Sequence, residues 1–310
     1  MFDPRREGRQ NSGFTDEEIS DIMCILIPAS AGAACEVANM VKLNLPYISI
    51  KSDDSHHDTN EFGLYAATRG YRIILRLSDA VKNPRRGFVF GRNFHACDIC
   101  FVHDPFKRVS NSHFRIYVNQ WGHIMLESKS TNGTQVDDRI LFKDGEECTR
   151  MLITGARIRI LMHESEHNID FLVRIPQRHG AYADAYMANV DAHIRRHSGV
   201  KDTTVAPDVN GKIDAFRTPA CLLARTPTTK KPTTPMPQEW TGHPDYHKVG
   251  PIGRGAFASV YLVTRRMDGR PFAAKELDTL RFLKNGVLDA RVDNELQIMR
   301  SVQHVSTASL

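Results

Sequence analysis

The sequence lacks an apolar run long enough to cross a membrane. Its only candidate, Ile22 to Cys35, contains Pro28 and Gly32 and is shorter than the roughly 20 residues that a membrane-spanning helix needs. Acidic residues precede it, where a secretion signal requires basic ones. We therefore expect neither a membrane span nor a signal peptide. The run is predicted to be a buried strand or helix piece, after an acidic helix start at Thr15.

A strong charge of one sign is also missing. The chain has 41 Lys and Arg against 36 Asp and Glu, and no block of five or more basic residues. This distribution does not indicate a nucleic-acid partner. Six cysteines in 310 residues, without a signal peptide, indicate reduced thiols in an intracellular compartment and no disulfide framework.

A period-two pattern of apolar residues begins after residue 66. Tyr71, Ile73, Leu75 and Leu77 lie on one side and Arg72 and Arg76 on the other, and similar runs recur up to Ile175. Turn signals such as Asn132-Gly133 separate the runs. Many short strands without a helical period predict a mainly β fold, an antiparallel β-sandwich.

Changes of pattern divide the chain into four predicted segments. Residues 1–65 carry mixed signals and receive no function, and residues 66–176 form the sandwich. Residues 177–245 close with a Thr- and Pro-rich stretch that cannot bury enough apolar surface to become ordered, and are predicted to be a flexible linker. Strand patterning resumes in residues 246–310.

Three short motifs occur in order in predicted loops of the sandwich. They are Gly91-Arg92, Ser110-Asn111-Ser112-His113 and Ser130-Thr131-Asn132-Gly133-Thr134. Each alone is weak, because Asn-Gly is most often only a turn. Together they resemble the forkhead-associated (FHA) domain family. That resemblance implies an FHA-type sandwich that binds phosphothreonine peptides.

The chemistry of these residue types fits such a ligand. A phosphothreonine carries nearly two negative charges and three acceptor oxygens, so it needs a guanidinium and hydroxyl or amide donors. Arg92 and Ser110 are the predicted donors. The resemblance adds Asn111 and Thr131 at the phosphate or the threonine, and Asn132 at the peptide backbone.

The resemblance also implies a structural histidine and a specificity residue. His113 is predicted to brace the Ser110 loop. Arg108 corresponds to a position that reads the third residue after the phosphothreonine, so an acidic residue is expected there in the partner. A metal or redox site at Cys97-x-x-Cys100 is disfavoured, because no second Cys or His pair follows with zinc-site spacing.

Residues 249–262 resemble the glycine-rich loop of serine/threonine protein kinases. Gly253 and Gly255 occupy the first two glycine positions, and Ala258 replaces the third. Ala273-Ala-Lys275 resembles the family's Ala-x-Lys, in which the lysine pairs with nucleotide phosphates. This segment is therefore predicted to be an incomplete kinase small lobe that binds ATP, with magnesium only in a complete kinase.

A helix is predicted after the lysine strand, from the spacing of Leu288, Val292, Leu296 and Met299. Glu295 lies on its inward face, so an ion pair with Lys275 is expected. The nucleotide-binding prediction names seven residues: Ile252, Gly253, Gly255, Val260, Ala273, Lys275 and Glu295. No catalytic residue is assigned, because no His-Arg-Asp or Asp-Phe-Gly follows; the chain alone is expected to be inactive.

The order of the two resemblances favours a phosphothreonine reader coupled to a serine/threonine kinase. It resembles fungal checkpoint kinases, which implies DNA-damage signalling and the nucleus more than the cytoplasm. The alternative is a non-enzymatic adaptor with a vestigial kinase tail. A phosphorylation-dependent dimer through Thr218, Thr226 or Thr234, each followed by proline, is a further hypothesis, although a solvated linker and a ligand from another protein are favoured.

Overall fold

The structure is a computed structural model that describes residues 14–50, 70–102, 107–198, 242–254 and 258–277 together with single positions and short pieces of 282–298. The described residues fall into two compact units. The described residues of one are 14–198 and 267–269, and those of the other lie in 242–266 and 270–298. No helix in these described parts is long and apolar enough to cross a membrane.

The described residues of the first unit form twelve strands in two sheets. The strands are β1 (Ile22–Pro28), β2 (Ile48–Ile50), β3 (Tyr71–Arg76), β4 (Phe88–Gly91), β5 (Ile99–Cys100), β6 (Phe114–Val118), β7 (Ile124–Ser128), β8 (Thr134–Val136), β9 (Arg139–Leu141), β10 (Thr149–Met151), β11 (Arg157–Ile160) and β12 (Ile169–Arg174). A seven-stranded sheet has the order β2-β3-β1-β12-β11-β8-β9, and a five-stranded sheet has the order β10-β7-β6-β4-β5. All pairings are antiparallel except that of β4 with β5.

One apolar core joins the two sheets. Alternate residues of β3 and β12, such as Ile73 and Phe171, pack in the same cluster as Phe90 and Phe114 of the other sheet. The Phe90 and Phe114 rings stack with their centroids 4.6 Å apart. Because strand side chains alternate between faces, the period-two pattern places its apolar set in this core. The predicted mainly β sandwich is therefore confirmed.

The N-terminal region contributes to the same sheet. Thr15 forms a capping box with Glu18 at helix α1 (Asp16–Ile19), which confirms the acidic helix start. The apolar run forms β1, which lies between β3 and β12, and continues into helix α2 (Ala31–Met40), capped by Ser30. Part of residues 1–65, to which the sequence assigned no function, therefore belongs to the fold of the first unit.

The start of the predicted linker differs from the prediction. Ala181–Ser198 form helix α3, and four of its residues, Ala183, Tyr186, Val190 and His193, are buried. Their spacing of three or four positions puts them on one helix face. A helix therefore replaces the expected extended segment over 181–198, while residues 199–241 lie outside the described residues.

The second unit is a three-stranded antiparallel sheet. Its strands are β13 (Tyr246–Arg254), β14 (Ala258–Arg265) and β15 (Pro271–Leu277), and a short pair follows, β16 (Leu283–Lys284) with β17 (Val287–Leu288). Leu288 thus lies in a strand, and its prediction as a helical position is wrong. Val292, which is helical and buried, agrees with the prediction, whereas Leu296 and Met299 lie outside the described residues.

Candidate functional site

The three motifs of the sandwich lie at the same end of three neighbouring strands. In the five-stranded sheet, Phe114 of β6 pairs with Phe90 of β4 on one side and with Ser128 of β7 on the other. Gly91-Arg92 follows Phe90, Ser110–His113 precede Phe114, and Ser130–Gly133 follow Ser128. Strand register therefore brings together loops that are far apart in the sequence.

Gly91 allows the first two loops to approach closely. Its backbone lies so near the second loop that an added Cβ would stand 2.4 Å from the carbonyl oxygen of Asn111. The backbone N–H of Arg92 donates to the Ser110 carbonyl over 3.1 Å. The glycine of the Gly-Arg motif is therefore required by sterics, since any side chain would push the loops apart.

Arg92 and Asn111 meet at the surface between these loops. The Nε–H of Arg92 donates to Oδ1 of Asn111 over 3.1 Å, and both side chains are exposed. Within the described part of the chain, the two terminal nitrogens of this guanidinium have no hydrogen-bond partner. The arginine is held through one nitrogen and keeps its terminal fork available for an anion.

His113 ties the second loop to the third from inside the fold. The backbone N–H of Ser110 donates to its Nδ1 over 3.0 Å, so Nε2 carries the proton and donates to the Gly133 carbonyl over 3.2 Å. The ring is fully buried. This geometry agrees with the predicted bracing role.

Ser130 is a site residue to which the sequence prediction gave no role. Its side chain is fully buried, and its Oγ lies 2.8 Å from Oγ of Ser110. The backbone N–H of Asn132 also donates to this oxygen, over 3.1 Å. Its position immediately before Thr131 and Asn132, which were predicted to contact the ligand, was the sequence signal that could have identified it.

Asn132 and Thr131 lie at the tip of the third loop. One amide hydrogen of Asn132 is given to the Arg108 carbonyl over 2.8 Å, and no partner for its Oδ1 occurs among the residues that the structure describes. Gly133 has a φ of 83°, a left-handed conformation that glycine adopts without strain. Thr131 is exposed. The tip thus presents an amide and a hydroxyl beside Arg108.

Arg108 is partly buried at the edge of this group. Its Nε–H donates to the Leu161 carbonyl over 3.3 Å. The side chain is therefore directed by the end of β11, while its own carbonyl holds Asn132. Five of the six residues predicted for the phosphopeptide lie on these three loops, and the sixth, Arg108, lies two positions before Ser110.

Cys97 and Cys100 are buried beneath the same loops as free thiols. Cys97 donates to the Asn111 carbonyl over 3.0 Å, and Cys100 lies 3.4 Å from the Arg92 carbonyl. Burial raises the pKa of Cys97 to about 11, so this thiol keeps its proton near neutral pH. These contacts support a packing role for the pair.

In the second unit, strand register aligns part of the predicted nucleotide site. Gly253 pairs with Val260, and Val260 pairs with Lys275. Ala273 is two positions from Lys275 on the same strand, so its side chain lies on the same face. A Cβ added to Gly253 would meet no atom within 4 Å. Gly253 and the exposed Lys275 therefore lie in register on the two strands that flank β14.

The remaining predicted nucleotide residues divide into two groups. Ile252 is described and half exposed, at 50%. Gly255 and Glu295, and with Glu295 the expected ion pair to Lys275, lie outside the described residues.

A curated protein and solved structures resemble this chain. The serine/threonine-protein kinase RAD53 of Saccharomyces cerevisiae is 24% identical over 233 residues, which are 74% of this chain and 25% of the relative. The chain therefore spans about a quarter of that relative's length. Similarity to a kinase thus extends over most of the chain.

Two solved structures with low TM-scores also match. The crystal structure of Rad53 1-466 in complex with AMP-PNP has a TM-score of 0.35 and 18% identity over 73% of this chain and 45% of that one. The N-terminal FHA domain of S. cerevisiae Rad53p, in complex with a phosphothreonine peptide, has a TM-score of 0.24 and 27% identity over 28% of this chain and 66% of that one.

A family model gives the more local result. The model of the FHA domain matches residues 88–160, which include Gly91 and all three loops of the site. The match confirms the prediction of a forkhead-associated domain in this part of the chain.

Proposed function

We propose that this chain binds phosphothreonine peptides through the three loops of its FHA domain, within residues 66–176. The observation that carries the proposal is the meeting of the Arg92 guanidinium, the Ser110 hydroxyl and the Asn132 amide at one end of the five-stranded sheet. A fork of terminal nitrogens beside a hydroxyl suits a dianionic phosphate ester. Arg108 extends the donor group beyond the phosphate.

The oriented guanidinium of Arg92 favours binding of an anion over binding of a neutral peptide. Arg92 is oriented by Asn111 before any ligand binds, so less side-chain freedom is lost on binding. A charge-assisted hydrogen bond contributes about 1.5–3 kcal/mol. Most of the affinity is therefore expected to depend on the phosphate.

The experiment is a calorimetric titration of the full chain with a phosphothreonine-x-x-Asp peptide and its unphosphorylated form. Arg92→Ala should weaken binding of the phosphopeptide about 10- to 100-fold. Arg85→Ala is the matched control, because Arg85 is an exposed arginine of a separate turn. Equal binding of both peptides, or unchanged affinity in Arg92→Ala, would overturn the proposal.

We further propose that residues 246–310 belong to an ATP-binding serine/threonine kinase domain. Gly253, Val260 and Lys275 would face the nucleotide, with Lys275 at its phosphates. ATP, when bound, supplies the phosphoryl group. Weakened binding of a fluorescent ATP analogue in Lys275→Met, but not in Arg85→Ala, would support this assignment, and equal binding in both would refute it.

The second candidate is an adaptor whose FHA domain is the whole function. It is favoured by the location of the complete phosphopeptide loops within residues 88–160, independent of the kinase-like segment. Reading the transcript beyond codon 310 separates the two candidates: a continuing frame with His-Arg-Asp and Asp-Phe-Gly supports the kinase, and a stop in all transcripts supports the adaptor.

The finer proposals concern the partner and the setting. We infer a partner with an acidic residue at the third position after the phosphothreonine, a role in checkpoint-type signalling, and the nucleus as compartment. A dimer through phosphorylated Thr-Pro sites is a weaker alternative, because none of those sites carries an acid at the third following position. Mass measurement of the phosphorylated chain with and without the peptide would detect such a dimer and its competition.

A further inference from the structure

The hydroxyls of Ser110 and Ser130 form a pair in which the direction of hydrogen bonding can be assigned. Their oxygens are 2.8 Å apart, a normal distance for two hydroxyls. Oγ of Ser130 already accepts the Asn132 backbone N–H. Ser130 is fully buried, so water cannot accept its proton.

The available acceptors determine the direction of the hydrogen bond between the two hydroxyls. Among the described residues, the Ser110 oxygen is the one acceptor within reach of the Ser130 hydroxyl, and a buried hydroxyl rarely leaves its proton unpaired. Ser130 therefore donates to Ser110. The Ser110 hydroxyl is left with a proton to give and lies on the partly exposed loop.

We propose that Ser130 is a positioning residue that orients the Ser110 hydroxyl to donate to the phosphate of the ligand. The inference rests on the proposed phosphothreonine binding. A hydroxyl that accepts one hydrogen bond becomes a better donor in the next, because successive bonds polarise one another. Asn132, Ser130 and Ser110 thus form a chain of donors that starts at the third loop and ends at the phosphate.

The test is a double-mutant cycle on the full chain, with affinity for a phosphothreonine-x-x-Asp peptide measured by calorimetry. Ser130→Ala should weaken binding about fivefold when Ser110 is present. In the Ser110→Ala background, the same change should alter affinity by less than about twofold, because Ser130 acts through Ser110. An equal loss in both backgrounds, or no loss in either, would overturn the proposal.

A second readout separates positioning from simple loop support. The ³¹P resonance of the bound peptide should titrate at higher pH in Ser130→Ala than in the unaltered chain, since a weaker donor stabilises the dianion less. Ser130→Cys, which keeps the size but weakens the donor, should show the same shift if Ser130→Ala does not fold. An unchanged ³¹P titration in the folded variant would refute the proposal.

No binding by the unaltered chain would overturn the phosphothreonine function and this inference together, whereas binding independent of Ser130 would overturn the inference alone.

Discussion

The Ser110 backbone N–H and the Nδ1 atom of His113 are 3.0 Å apart, and this hydrogen bond determines the tautomer of the histidine. Since Nδ1 accepts, Nε2 must carry the proton that is shared with the Gly133 carbonyl. A neutral ring thereby joins two loops that come from different strands. The histidine acts on the ligand only through the loops that it holds.

Replacing His113 by alanine should therefore affect stability before recognition. The change leaves a buried cavity and removes two hydrogen bonds, which should lower the free energy of unfolding by about 2–4 kcal/mol. Urea denaturation of the full chain measures the loss. His95→Ala, at an exposed loop position, should change little. A His113→Ala protein as stable as the parent would contradict the bracing role.

A methyl group at position 91 should separate the first two loops. The added Cβ of Gly91→Ala would lie 2.4 Å from a backbone oxygen of Asn111, so the backbone itself has to move. We expect lower stability and weaker phosphopeptide binding, by about tenfold or more if Arg92 is displaced. Gly145→Ala is the control, because its Cβ would come no nearer than 3.4 Å to any atom. Equal melting temperatures and affinities for the two variants would count against the steric explanation.

The sequence predicted the sandwich and the FHA domain because both depend on local signals. Alternation in Tyr71–Arg76 and its counterparts marks strands, and Asn132-Gly133 marks a turn. The place of β1 between β3 and β12 depends on pairing over about 150 residues, which no local pattern reports. The role of Ser130 was not predicted for a similar reason, because its hydrogen-bond partner Ser110 is 20 positions away.

Two predictions from the sequence were wrong for different reasons. Helix α3 was predicted as linker because its residue pattern is weak, and three of its apolar residues, Ala183, Tyr186 and Val190, are buried in the structure. Leu288 fits a helical spacing, yet it pairs with Leu283 in a short strand. Packing therefore overrides a weak local preference in helix α3, whereas Leu288 forms a local strand pair with a residue five positions away.

The preference for an acid at the third position after the phosphothreonine should depend on Arg108. Its Nε–H is given to the Leu161 carbonyl, which leaves the charge close to the Asn132 tip. A peptide panel should show tighter binding with Asp than with Ala at that position, by up to about fivefold, and Arg108→Ala should remove the difference, since a solvent-accessible ion pair is worth about 0.2–1 kcal/mol. Arg85→Ala should keep it. A preference that persists in Arg108→Ala would assign the selectivity elsewhere.

Acid should loosen the packing of helix α3 through His193. The ring is buried, at 3% exposure, and its Nδ1–H donates to the Leu77 carbonyl, 3.1 Å away. Burial lowers the pKa of His193 below its ordinary 6.5; Arg196 acts in the same direction, whereas the hydrogen bond to Leu77 and the charge of Asp21 oppose it. The folded protein therefore keeps the ring neutral at a pH where the unfolded chain protonates it.

The sign of the effect follows from this difference in proton uptake. Well above pH 6.5 neither state binds the proton, so His193 has no influence on the pH dependence of stability. As the pH falls through about 6.5, the unfolded state binds more protons and the free energy of unfolding decreases. Urea denaturation of the full chain between about pH 5.5 and 7.5 should show this loss. His193→Gln should flatten the curve, because glutamine can donate to Leu77 but does not titrate, whereas His95→Gln should leave it unchanged. A curve as steep in His193→Gln as in the parent would place the acid sensitivity in another group.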